Sequence, residues 1–87
     1  MHAVVVSVTI HEHEASEINL RERVVPGVSQ APGFVGGYWT RKEDSGLAMV
    51  AFESEEAAEV MADRVPSMLP DTVTLQDLEV REVVVHA

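Results

Sequence analysis

The chain has 87 residues, of which 46% are hydrophobic and 24% charged, and it contains no cysteine. That composition belongs to one globular domain spanning residues 1–87, not to an acidic disordered tail, and it excludes disulfides, thiolate metal sites and Cys nucleophiles. Six basic against fifteen acidic side chains give a net charge of −9, which disfavours nucleic acid and anionic lipid as partners.

The first apolar run, AVVVSVTI at residues 3–10, is rich in β-branched residues and predicts a strand. It is too short for a membrane span and has no preceding Lys or Arg of the kind that opens a signal peptide. The expectation is therefore a soluble, cytoplasmic protein. HEHEASE follows, with Ser16 as the expected helix N-cap and Glu17 just inside. Ile18, Leu20, Val24, Val25 and Val28 predict a helix over residues 15–30, with a kink or break near Val25 because Pro26 lies inside it. Ala31-Pro32-Gly33 stops it.

FVGGYWTRK, residues 34–42, predicts a second strand, with a bulge or a close approach at Gly36 and Gly37. Glu43-Asp44-Ser45-Gly46 reads as a hairpin turn, and LAMVAF at 47–52 as a third strand. Ser54 caps a second helix whose apolar stripe is Ala58, Met61, Ala62 and Val65, with Pro66 and Pro70 ending it. A last strand is expected from Leu75 to His86, kinked near Asp77 where the alternation changes phase.

The order strand, helix, strand, strand, helix, strand is the ferredoxin-like split βαβ pattern. It predicts an α+β fold with a four-stranded antiparallel sheet of order 4-1-3-2 and both helices on one face. Two helices shelter only that face. Yet Leu47, Met49 and Ala51 point one way while Ala48, Val50 and Phe52 point the other, and both sets are apolar. Leaving about 500 Å² of the second face wet forgoes on the order of 12 kcal/mol at ~25 cal/mol per Å². A second copy is the simplest cover, so a homodimer through the sheet face is expected.

These segments, with VVPGVSQAPGFVGGYWTR (24–41), VAFESEEAA (50–58) and LEVREVVVHA (78–87), resemble the antibiotic biosynthesis monooxygenase-like proteins of the dimeric α/β-barrel group. The resemblance implies a homodimeric barrel with one cavity per subunit between sheet and helices. It further implies cofactor-independent oxidation of a small aromatic or quinol-type compound; the alternative is a non-catalytic, homodimeric small-molecule-binding or structural module. The haem-degrading branch of the group uses an Asn on the first strand, a Trp in the sheet and a His on the second helix. Here the first strand has Ser7 and Thr9, residues 54–69 hold no His, and Trp39 alone matches. No cofactor and no metal are expected.

Trp39 and Tyr38 are the only Trp and Tyr, and adjacent strand residues face opposite ways, so at most one lines a given pocket. Aromatic walls suit a small aromatic ligand, and equally suit a core or an interface. His11 and His13, two apart in HEHE, have the spacing of a weak metal pair or of a general base at a cavity mouth. Polar strand-to-helix loops have the same look. Arg41 is suited to a substrate carboxylate, or to an ion pair with one of the fifteen acids.

Overall fold

The computed structural model describes residues 1–87. Four strands form one antiparallel sheet: β1 (His2–Ile10), β2 (Phe34–Lys42), β3 (Ser45–Phe52) and β4 (Val73–Glu82), in the order β2-β3-β1-β4. This is the expected order of the ferredoxin-like fold, read from the other edge. Between β1 and β2 run α1 (His13–Asn19), a π-helical turn (Leu20–Val24) and α2 (Val25–Ser29), and α3 (Glu55–Met68) joins β3 to β4. No helix is long and apolar enough to cross a membrane.

The first helical segment starts at His13, two residues before the expected boundary. Its N-cap is Glu12, which makes no side-chain capping bond. Ser16 is not the cap; its hydroxyl donates to Thr72 Oγ1 at 2.7 Å, tying the helix to the loop before β4. The expected irregularity ahead of Pro26 takes the form of the π-turn. The Val25 N–H returns to the Leu20 carbonyl five residues back, and Pro26, with no N–H, then sits in the first turn of α2, where none is required.

Ser54 caps α3 as its sequence predicts, accepting the Ala57 N–H at 3.1 Å. Pro66 does not end that helix, which continues to Met68. The last strand stops at Glu82 rather than His86, and Val84 and Val85 stand outside the sheet, 88% and 84% exposed.

Two bulges set which side chains face the helices. On β2 the register slips between Phe34 and Gly36. Phe34 and Trp39, of opposite sequence parity, therefore both pack on the core side. On β4 the slip lies opposite Ser7 and Val8, at the predicted kink, and turns Leu78 and Val80 to the core.

The core lies between this face and the helices: Val4, Val28, Val50, Phe52, Ala58, Met61 and Val65. Phe34 meets Phe52 edge-on at 6.2 Å between ring centres. Gly33, at φ +82°, has Ala57 Cβ 3.0 Å from where a Cβ would stand, so the turn into β2 takes only glycine without strain.

On the opposite face the register sets Tyr38, Met49, Val5 and Glu79 side by side across the four strands. Leu47 and Met49 are each half exposed there, so this side has no cover within the chain. Ser54→Ala is expected to lower unfolding free energy by about 1 kcal/mol in urea titration, the usual worth of such a cap.

Candidate functional site

The helices do not close down on the whole inner face. A cavity of about 420 Å³ opens between the β1–β3 surface, the first helical segment and α3. Its walls are apolar: Val4, Val6 and Val8 of β1, Val24 and Val28 above them, Met61 and Val65 of α3, and Trp39 of β2. The volume is that of a small-molecule site. No polar or charged residue of the chain is buried, so the polar groups of this cavity gather at its mouth.

The mouth lies where the start of α1 faces the β2–β3 turn. His13, Ser16, Glu17 and Arg21 line it from the helical side, and Arg41 from the end of β2. His13 Nε2 donates to Asp44 Oδ1 at 2.7 Å, a bond that spans from α1 to the hairpin turn. With Asp44 accepting only, Nε2 carries the proton, and in neutral imidazole the Nδ1 lone pair is the basic one. Arg21 pairs with Glu17 at 2.8 Å, one helical turn apart. The second oxygen of Glu17 stands 3.8 Å from Arg41.

The sequence-derived candidates divide. Trp39, Arg41 and His13 come together at the cavity. Tyr38 does not: it is on the opposite side of the sheet and 78% exposed. Nor does His11, whose Nε2 meets Thr74 Oγ1 at 2.7 Å outside the lining. The two histidines share no target, because helix begins at His13 and ends the extended spacing that would align them. No group of three or more His, Cys, Asp or Glu is placed to hold a metal ion.

Glu17, Arg21 and Asp44 were not singled out for the site by sequence reasoning. A signal was present. Residues 13, 17 and 21 form a polar i, i+4, i+8 stripe beside the apolar stripe 20, 24 and 28, which marks a helix edge at a wet boundary.

No family model and no curated protein matches the chain. Solved structures do. One is a crystal structure of a mutant of MhuD with two manganese protoporphyrin IX bound per active site. It has a TM-score of 0.67 at 18% identity, over 100% of this chain and 98% of that one. Another is the haem-degrader MhuD from Mycobacterium tuberculosis with two haems bound in its active site. Its TM-score is 0.56 at 21% identity, over 97% of this chain and 98% of that one. At this identity the likeness is one of fold, and the fold is the ferredoxin-like one.

A haem iron would find no histidine inside this cavity. The cavity interior presents no imidazole, and α3 carries none. His13 is the one histidine of the lining, and Asp44 holds its Nε2.

The His13–Asp44 bond is the direct side-chain hydrogen bond between α1 and the hairpin. Asp44→Ala is expected to cost about 1 kcal/mol, the net worth of one hydrogen bond. Amide exchange measured residue by residue should quicken in the first turn of α1 and stay unchanged in α3.

Proposed function

We propose that the protein is a metal-free oxygenase for a small planar aromatic phenol or enol, working as a homodimer. The observation that carries this reading is the 420 Å³ apolar cavity with Trp39 in its wall and His13 at its mouth. A flat ring stacks well on an indole, and apolar walls keep water from the reacting carbon.

The protein's part is proton handling and exclusion of water. His13 removes a proton from the bound substrate, and Asp44, on Nε2, orients the ring and stabilises the imidazolium. The substrate anion is then the electron donor to dioxygen. For an activated methylene the balance is R₂CH₂ + O₂ → R₂C=O + H₂O: carbon loses four electrons, one oxygen atom enters the product, and the other leaves as water. The proton on His13 goes into that water, which returns the base to its starting state.

A dimer through the open sheet face follows from Leu47 and Met49, half exposed, and from Tyr38 and Val5 beside them in register. A second copy buries these side chains and completes the barrel.

A non-catalytic binding module is the second reading, favoured by the lack of any buried polar side chain.

An oxygen electrode with a panel of anthrones and naphthohydroquinones separates the two. Catalysis predicts oxygen uptake and stoichiometric ketone, with His13→Ala lowering turnover by roughly 10²-fold. Uptake no greater than the protein-free rate across the panel sinks the oxygenase reading. Titration with haemin is the control: a saturable Soret shift would replace the metal-free reading with haem binding. For assembly, light scattering should give twice the 9.5 kDa chain mass and Met49→Glu should halve it. A wild-type particle of one chain mass would refute the dimer.

A further inference from the structure

Trp39 and Arg41 stand two residues apart, so their side chains leave the same side of β2, about 7 Å from each other at ~3.3 Å per residue. Both line the cavity, Trp39 in its wall and Arg41 at its mouth. Their partners across the ladder are Ala48 and Gly46, the smallest residues of β3 on this face. Gly46 has no room for a Cβ, which would stand 2.8 Å from Val8 Cγ2 and 3.3 Å from Ile10 Cδ1. Ala48 therefore gives a low apolar floor beside Trp39, while Val8 and Ile10 lie over Gly46 on the way to the mouth.

The charge at the end of this floor is only partly neutralised. Arg41 makes no side-chain hydrogen bond; its nearest carboxylate oxygen, on Glu17, is 3.8 Å away. Glu17 is already engaged by Arg21 at 2.8 Å, so two guanidiniums share one carboxylate. The other acid at the mouth, Asp44, is held by His13. In a chain with only six basic residues against fifteen acids, two of the six are placed at this one opening. The guanidinium fork is half exposed, with its donors free to take a planar anion in two parallel bonds.

We propose that Arg41 sets the specificity of the cavity for aryl carboxylic acids. The ring lies on Ala48 against Trp39, with Val8 alongside, and its carboxylate is held by Arg41, which stands about 7 Å further along the strand. This rests on the reading of the cavity as an aromatic-ligand site. It adds that the ligand is an anion, in a protein whose overall charge repels anions.

Trp39 is the only tryptophan, so its emission reports on this floor alone. The test measures its quenching by anthracene-2-carboxylate and, separately, by the neutral anthracene-2-carboxamide. The acid should bind at least about tenfold more tightly, the lower bound for a charge-assisted pair of hydrogen bonds. Arg41→Gln should bring that preference below about threefold, lowering acid affinity far more than carboxamide affinity, and Arg41→Lys should recover only part of it. Circular dichroism of each variant confirms the fold. Equal affinity for acid and carboxamide, or a preference that survives Arg41→Gln, overturns the assignment of Arg41 and leaves the aromatic cavity standing. Quenching by neither compound overturns the cavity reading as well.

Discussion

A β-sheet has two faces, and a chain of this length makes only enough helix to lie on one. The cavity and the bare apolar face both descend from that inequality. On the covered face, α3 packs on β1, β3 and β4 where Phe52, Val4 and Ala58 are almost wholly buried, and the cavity opens toward the other end of β1. On the uncovered face the strands keep apolar side chains at Leu47 and Met49 in half-exposed positions. Isolated exposed apolar residues are ordinary, but Tyr38, Met49 and Val5 lie side by side across three strands and form one contiguous apolar patch.

The element order and sheet order were legible because they rest on strong local signals. β-branched runs mark β1, the Ser54 cap with its following acids marks α3, and antiparallel pairing with right-handed crossovers leaves few topologies. Boundaries failed where a tertiary partner took a residue that local rules had claimed. Ser16 has the chemistry of a cap, yet Thr72 lies within reach and binds its hydroxyl. Pro66 sits near the helix C-terminus, where the missing N–H is one bond and the ring is tolerated. Val83 to Val85 have strand propensity without a neighbouring strand to pair with beyond Met1, whose carbonyl takes the Val83 N–H.

Which aromatic ring enters the cavity was illegible for a sharper reason. Alternation assigns faces by counting, and one inserted residue inverts the count. The bulge at Val35 and Gly36 does this in β2. Counting from the core-facing Phe34 would place Tyr38 inward, whereas the slipped register turns Trp39 inward and leaves Tyr38 in solvent. The glycine pair flagged the bulge but not whether the phase would change before or after it. The mouth was illegible because it is a meeting of distant segments: residue 13 with residue 44, and 17 with 41.

The cavity itself is an argument about stability. A dry, empty space of 420 Å³ would cost on the order of 10 kcal/mol at ~24 cal/mol per Å³, as much as the whole stability of a small domain. Replacing Gly46 or Ala48 with larger apolar residues is the simple evolutionary remedy, and Gly46 is barred from it by Val8 and Ile10, which already fill the space above it. The hollow is open to solvent on one side, so water has access to it in the free protein. Water in an apolar hollow has few partners and leaves readily. A flat ligand that replaces it recovers the wall contacts the helices cannot make, and its binding energy adds directly to folding stability, because only the folded chain has a cavity to offer.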